Sequence, residues 1–84
     1  MKYCLITFRS VTPAQRGESV LHKNGIVCTL RRTPRWMEEQ GCGYSLRLRR
    51  EDGARAAMLL RTNQIPFRKV YLWEENGSAE ELVL

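Results

Sequence analysis

One cysteine of the chain stands between two glycines, in the segment Gly41-Cys42-Gly43. Small neighbours leave the sulfur approachable and leave the backbone free to adopt uncommon angles. The thiolate is the reactive form of cysteine, and positive charge nearby favours it. This pattern indicates an exposed, nucleophilic thiol at Cys42. A second interpretation, a small half-buried packing residue at the entry to a strand, stays open at this point.

Cys42 directly follows a segment, residues 32–41, that is far longer than a hairpin between two strands needs. Arg35 lies within it and could stabilise a thiolate, whereas Glu38 and Glu39 would oppose one. Trp36 either contacts a partner or fixes the segment by burying its ring. We therefore expect chemistry, if the chain carries any, to lie around this segment.

The other two cysteines and the single histidine are not flanked by glycines in a long connecting segment. Cys4 and Cys28 are in phase with apolar neighbours in predicted strands, which indicates packing. His22 falls near the end of a predicted helix, where a cation suits the helix dipole. No Cys and His have metal-ligand spacing, so we expect neither a metal nor another cofactor. An odd number of cysteines also argues against a disulfide framework.

The length of 84 residues allows one domain, and the composition, with 43% hydrophobic and 27% charged residues, is that of a globular protein. The longest early apolar run, residues 3–8, is too short for a signal peptide or a membrane span. The sequence therefore predicts a cytoplasmic protein that does not use a membrane.

The net charge of +5 is unevenly distributed along the chain. Four of the nine acidic residues lie in the last eleven positions, so residues 1–73 carry fourteen basic and five acidic side chains, a net charge of +9. Eleven of the basic residues are arginines, whose guanidinium groups bind carboxylates and oxyanions through two parallel hydrogen bonds. An anionic ligand or partner fits this composition, and so does a merely solvated basic surface.

The elements that must position Cys42 follow from hydrophobic periodicity and from turn residues. Alternating apolar residues predict strands over 2–8, 26–31, 44–48 and 67–73. Helices are predicted over 13–23, with Thr12 as N-cap, and over 54–62, with Asp52 as N-cap. Asn24-Gly25-Ile26 and Asn63-Gln64-Ile65 end these helices in a similar way and suggest two related halves.

The element order predicts an α+β, ferredoxin-like βαββαβ domain over residues 1–73, a four-stranded antiparallel sheet with two helices on one face. Residues 74–84 form an acidic C-terminal tail that is either a hairpin strand or a short helix. Its apolar end is expected to pack on the domain or on a second copy, which makes a homodimer a candidate state. In this topology the first strand ends, the first helix begins and the third strand begins at one edge, so Cys42 is expected beside the helix N-terminus.

Several segments resemble, in order and spacing, a family of small bacterial proteins known as selenium or sulfur carrier protein-like. They are Thr7-Phe8-Arg9-Ser10 with Ala14, then Leu21, Gly25-Ile26, Thr33-Pro34-Arg35, and Cys42-Gly43 with Leu46. The resemblance covers about sixty residues, and it assigns the carrier role to Cys42 alone. Arg9, Ser10, Thr33, Arg35 and Gly43 become the candidate binding residues around it. Gly41 departs from the family pattern, in which a small hydroxyl residue often precedes the cysteine.

The resemblance implies that Cys42 carries sulfur or selenium as a persulfide or selenopersulfide. It also implies two protein partners, a donor such as a cysteine desulfurase and an acceptor, and a carrier rather than a catalyst. Two alternatives remain. Arg47, Arg49 and Tyr3 could bind single-stranded RNA on an open sheet face, although no aromatic run supports it and nucleic acid is the less favoured partner. The second alternative is a regulatory module that senses a small anion.

Overall fold

The computed structural model describes residues 2–33, 43–74 and 79–82. The strands are β1 (Lys2–Phe8), β2 (Cys28–Arg32), β3 (Tyr44–Arg49), β4 (Val70–Glu74) and β5 (Ala79–Leu82). The helices are α1 (Val11–Lys23) and α2 (Gly53–Thr62), and a 3-10 turn, Arg50–Asp52, precedes α2.

The strands form one antiparallel sheet in the order β2-β3-β1-β4-β5. The α+β class, the antiparallel sheet and the two helices are as predicted. The predicted number of four strands is wrong, because residues 79–82 of the acidic tail add β5 beside β4. The strand alternative for this segment is thus the observed one. Lys69 and Glu81 are joined by an ion pair of 3.4 Å, and Leu82 packs against the core. The ferredoxin-like description stays a prediction.

The core lies between the helices and one face of the sheet. Alternate residues of β1, namely Cys4, Ile6 and Phe8, are fully buried there. Residues from β2, β3, β4, both helices and the segments that follow the helices complete the cluster: Cys28, Leu46, Leu48, Val70, Ala14, Leu21, Ala56, Leu60, Ile26 and Ile65. At Gly17 in α1, a Cβ would lie 3.0 Å from a Leu60 methyl. The absence of a side chain at Gly17 therefore lets α1 approach α2 and the sheet closely.

Both helices end in the same hydrogen-bonded motif. The Ile26 N–H donates to the Leu21 carbonyl over 2.9 Å, and the Ile65 N–H donates to the Leu60 carbonyl over 2.9 Å. Gly25 (φ 78) and Gln64 (φ 58) occupy the left-handed position before each isoleucine. These are Schellman motifs, which satisfy otherwise unpaired carbonyls. The repeated Asn-x-Ile pattern therefore has a structural counterpart in the two halves.

The helix starts differ from the predicted ones. Helix α1 begins at Val11, and Ser10 is its N-cap with extended backbone (φ −146, ψ 170), so Thr12 as N-cap is wrong. Pro13 fits inside the first turn because the N–H that it lacks has no helical acceptor there. Asp52 precedes α2, but its backbone is already helical (φ −92, ψ −4) and its side chain makes no capping bond.

Two strands begin later than predicted, because backbone groups at their expected starts are used elsewhere. The Ile26 N–H closes the end of α1, so β2 begins at Cys28. Before β4, the Thr7 N–H donates to the Lys69 carbonyl (2.8 Å) and the Arg68 N–H donates to the Thr7 carbonyl (2.7 Å). Arg68 and Lys69 thus both lie opposite Thr7, as in a β-bulge, and regular pairing of β1 with β4 starts at Val70.

Across the described ranges, neither helix is long and apolar enough to cross a membrane.

Candidate functional site

Three neighbouring strands reach the same end of the sheet next to the segment that contains Cys42. The Thr33 N–H, just after β2, donates to the Gly43 carbonyl, just before β3, over 3.0 Å. The adjacent pair, Phe8 and Tyr44, joins the end of β1 to the start of β3. Arg9 follows Phe8 in the chain, so Thr33, Gly43 and Arg9 form a row across this end of the sheet, which we call the Thr33-Gly43-Arg9 row.

Helix α1 begins at Val11, two residues after Arg9 of this row. Ser10 is its N-cap, and the Ser10 side chain makes no capping hydrogen bond. The first turn of α1 contains no acidic residue, so nothing in that turn offsets the positive end of the helix dipole. Arg9 and Ser10 are both exposed. The start of α1 therefore adds positive potential to the end of the sheet at which the row lies.

The row combines buried and cationic groups. Thr33 is only 9% exposed, and within the described part of the chain its buried Oγ1 has no hydrogen-bond partner. Gly43 is also buried. Arg32, one residue before Thr33, holds its guanidinium 5.9 Å from the centre of the Tyr44 ring. An unpaired buried hydroxyl is costly, so the Thr33 hydroxyl is a candidate donor to a group at this end of the sheet.

Of the six predicted site residues, the structure brings Arg9, Ser10, Thr33 and Gly43 to one end of the sheet. The other two, Cys42 and Arg35, lie outside the described residues, as do Trp36 and the opposing charges of Glu38 and Glu39. The role of all six residues therefore stays a prediction.

The other two cysteines belong to the core, as their strand phase predicts. Cys4 is 1% exposed and Cys28 is 6% exposed. Burial raises the pKa of Cys4 from 9.0 to about 11. Burial, with a smaller contribution from the negative charge of Glu18, raises the pKa of Cys28 to about 11 as well. Because the thiolate is the nucleophilic form, both cysteines are poor nucleophiles in the folded protein.

His22 lies in the last turn of α1, and its Nε2 is 3.2 Å from the Cys28 carbonyl oxygen. This contact links the end of α1 to the start of β2. The described ranges contain no group of three or more His, Cys, Asp or Glu side chains that could hold a metal ion.

The outer face of the sheet, opposite the helices, differs from the open surface that the RNA alternative assumes. Leu5, Thr7 and Ser45 are on this face and are nearly fully buried, at 4%, 4% and 1% exposure. Arg47 lies across Tyr3, with its guanidinium carbon 3.8 Å from the centre of the ring. One side of the tyrosine is thus covered by an arginine, which leaves no space there for a stacked base.

Sequence reasoning grouped Arg47 and Tyr3 on one sheet face, but it did not predict that they stack on each other or that Trp73 lies beside them. The Tyr3 ring also lies 6.1 Å from the ring of Trp73, and the guanidinium of Arg47 lies 5.9 Å from that indole. The signal was present in the alternation of β3, which puts Arg47 on the outer face. Only the strand register, with Leu5 opposite Arg47 and Tyr3 opposite Trp73, shows that these side chains meet.

The family model described as "Putative Se/S carrier protein-like" matches residues 3–72, from β1 into β4. The chain belongs to this family. The match includes the residues of the Thr33-Gly43-Arg9 row and position 42 in the sequence, and it confirms the resemblance found in the sequence motifs. No curated protein and no solved structure matches the chain significantly.

Proposed function

We propose that the protein is a carrier of sulfur or selenium that holds the atom on Cys42 as a persulfide or selenopersulfide. The observation that carries this proposal is the burial of the other two cysteines. Cys4 and Cys28 lie in the core with pKa values raised to about 11, so neither suits a reversible nucleophilic role near neutral pH. The chain has three cysteines, and the family name supports a carrier, so Cys42 is the residue that remains.

The transfer step needs no external oxidant or reductant. The Cys42 thiolate attacks the terminal sulfur of a persulfide on a donor protein, and a new S–S bond forms as the donor's S–S bond breaks. The electron pair of the broken bond leaves with the donor cysteine as its thiolate. The terminal sulfur, or a selenium atom in its place, then reaches the acceptor protein by the same exchange in reverse.

The Thr33-Gly43-Arg9 row supports the anionic states that this step requires. Arg9 and the amides at the start of α1 favour a thiolate and a terminal persulfide anion, and we expect Arg35 to do the same. The Thr33 hydroxyl is buried and has no hydrogen-bond partner among the described residues. Ser10 has a side chain that helix capping does not use. We infer that these groups surround the carried atom.

The proposal includes two partner proteins, a sulfur or selenium donor, for which a cysteine desulfurase is the expected class, and an acceptor. It places the protein in the cytoplasm, where thiols stay reduced. We further infer that β1 to β4 and the two helices form a ferredoxin-like unit. The supporting observation is the strand order β2-β3-β1-β4, with β5 added at the β4 edge.

The test loads the full-length protein with a cysteine desulfurase and L-cysteine, without reductant, and measures the intact mass. We expect an increase of one sulfur atom, located on Cys42 by peptide mapping, and its removal by dithiothreitol. Loading with selenocysteine should add one selenium atom at the same residue. A second reaction, with a small-molecule thiol as acceptor, should return the protein to its original mass.

Cys42→Ser is the direct control and should take up no sulfur. Cys28→Ala should take up the same amount of sulfur as the wild type. Circular dichroism of each variant verifies that it is folded. Absence of any mass gain on the folded wild type, or a gain that maps to Cys4 or Cys28, would disprove the carrier proposal.

A further inference from the structure

A groove of 330 Å³ lies on the outer face of the sheet, across β2, β3 and β1. Its lining residues are Tyr3, Val27, Thr29, Arg31, Arg47, Leu48 and Arg49. We propose that this groove, the arginine groove, binds the phosphate group of a small phosphorylated ligand. The proposal does not depend on Cys42, and it concerns a different surface from the Thr33-Gly43-Arg9 row.

Arg47 lies at the centre of the groove and is held there by aromatic rings. Its guanidinium carbon is 3.8 Å from the centre of the Tyr3 ring and 5.9 Å from that of Trp73. Contact with the flat face of a ring leaves the N–H bonds, which lie in the plane of the guanidinium, available for an acceptor. A half-buried arginine with a fixed plane loses less conformational entropy when it binds an oxyanion than a mobile one does.

Two further arginines face the same space. Thr29 is the partner of Arg47 across the β2–β3 pair, and Arg31 follows two residues later on the same face. Arg49 follows Arg47 in the same way on β3. Arg47 and Arg49 are two positions apart on one strand face, so their Cα atoms lie about 7 Å from each other. Arg31 lies diagonally across from Arg47 on β2, and the long arginine side chains allow Arg47 and either neighbour to bind one oxyanion.

Among the described residues, little negative charge balances these cations. None of the described residues that line the groove is acidic. Glu51 lies 3.8 Å from Arg49, and both of those side chains are 69% exposed, so the attraction is weak. Three cations around one groove therefore produce a local positive potential that attracts an anion.

The number of cations and the shape of the groove favour a phosphate monoester over other anions. A phosphate monoester carries a charge of about −1.5 to −2 at pH 7, whereas a carboxylate carries one charge and pairs with one guanidinium. The groove has the volume of a small-molecule site rather than of a single ion. Val27, 65% exposed, offers an apolar wall for the organic part of the ligand, and the Thr29 hydroxyl offers another hydrogen bond.

The test is an NMR titration of the ¹⁵N-labelled full chain in chloride buffer at constant ionic strength. The probes are inorganic phosphate and glycerol phosphate, and the observed signals are the arginine Nε–H resonances. We expect saturable shifts for Arg31 and Arg47, with the ester binding more tightly than inorganic phosphate. Arg47→Gln and Arg31→Gln should each weaken binding by about tenfold, the effect of one charge-assisted hydrogen bond. Arg31→Gln is the safer variant for folding, because Arg31 is exposed.

The matched control is Arg16→Gln, which removes the same charge from an exposed position in α1 and should leave the affinity nearly unchanged. An equal loss in Arg16→Gln, or shifts that never saturate, would overturn the proposal in favour of general charge attraction. A uridine oligonucleotide of about ten residues that binds, while glycerol phosphate neither binds nor competes, would overturn it in favour of a nucleic-acid surface. Cys42→Ser should bind the ester as the wild type does, so this result and that of the sulfur-loading test are independent.

Discussion

The sulfur of Cys4 occupies the space into which a side chain at Gly53 would project. A Cβ at Gly53, the first residue of α2, would lie 2.9 Å from the Cys4 Sγ and 3.5 Å from its Cβ. The start of α2 therefore rests directly on the central strand, and the contact that buries the Cys4 thiol requires glycine.

We expect Gly53→Ala to lower the free energy of unfolding by about 1–3 kcal/mol, the usual cost of overpacking a core. In a Cys4→Ala background the sulfur is gone, and the same substitution should be neutral or slightly stabilising because alanine favours the helix. Urea unfolding of the four proteins gives the coupling energy. Equal losses in both backgrounds would show that the Cys4 contact is not the cause.

The three thiols should differ in their rate of alkylation by iodoacetamide. With pKa values of about 11, Cys4 and Cys28 present about one thiolate in a thousand molecules at pH 8, and burial blocks the reagent. Under the carrier proposal Cys42 should react first and should still react at mildly acidic pH. Peptide mapping after timed labelling measures each rate. Urea should remove the difference, and a native Cys42 that reacts no faster than Cys4 would contradict the assignment.

Stability should fall at alkaline pH because of the buried thiols. Between pH 9 and pH 11 the unfolded chain releases the Cys4 proton while the folded protein retains it, so unfolding becomes easier as the pH rises. The stabilising effect is complete below about pH 9, and each thiol contributes a slope of up to about 1.4 kcal/mol per pH unit within this window. Unfolding free energies of wild type and Cys4→Ala across the window test this. The two proteins differ only at residue 4, so a slope unchanged in Cys4→Ala would refute the prediction.

Gln64 is a candidate for a stabilising substitution. It occupies the left-handed position (φ 58) that Gly25 (φ 78) occupies in the equivalent motif after α1. Only glycine adopts this conformation without strain, so Gln64→Gly should raise the free energy of unfolding by about 1 kcal/mol. The reverse change, Gly25→Gln, should lower it by a similar amount, and no Cβ contact would contribute because Gly25 has open space around it. Urea unfolding of both variants provides the comparison.

Thr7 is a control for the role of the Thr33 hydroxyl, because both threonines are buried and they differ in hydrogen bonding. The Thr7 Oγ1 donates to the Lys69 carbonyl (3.2 Å) and accepts from the Lys69 N–H (3.1 Å), whereas the Thr33 Oγ1 has no partner in the described chain. Thr7→Val should therefore cost about 1–3 kcal/mol of stability, and Thr33→Val should cost little or be stabilising. Thr33→Val should nevertheless slow sulfur loading of Cys42 if the hydroxyl supports the carried atom. A large stability loss in Thr33→Val would assign that hydroxyl a structural role instead.

Hydrophobic alternation was sufficient to predict the first four strands, and capping and turn residues were sufficient to predict the two helices. The order of these elements predicted the antiparallel sheet. The predicted boundaries were wrong where a backbone group takes part in a different local interaction. At Ile26 the backbone N–H caps α1 instead of entering β2, and at Asp52 a 3-10 turn replaces side-chain capping. The pattern of residues 79–82 is too short to decide between strand and helix, and pairing with β4 decides it.

Thr33, Gly43, Arg9 and Ser10 lie close to strand ends that the topology aligns, so their common position at one end of the sheet follows from the order of the elements. The role of these residues around Cys42 stays a prediction. The sequence motifs could not predict the arginine groove. That groove depends on the register of three strands, which places Arg47 across Tyr3, and no local pattern in the sequence contains that information.

The central position of β1 also determines the order in which the chain can fold. β1 leaves the ribosome before both of its neighbours in the sheet, β3 and β4, and its Thr7 is hydrogen-bonded to Lys69, 62 residues later in the chain. Until β4 has been synthesised, one side of β1 keeps its backbone hydrogen-bonding groups unpaired. Completion of the sheet around β1 therefore requires the chain as far as β4, and a nascent chain that lacks β4 exposes an unpaired strand edge to which another chain can bind.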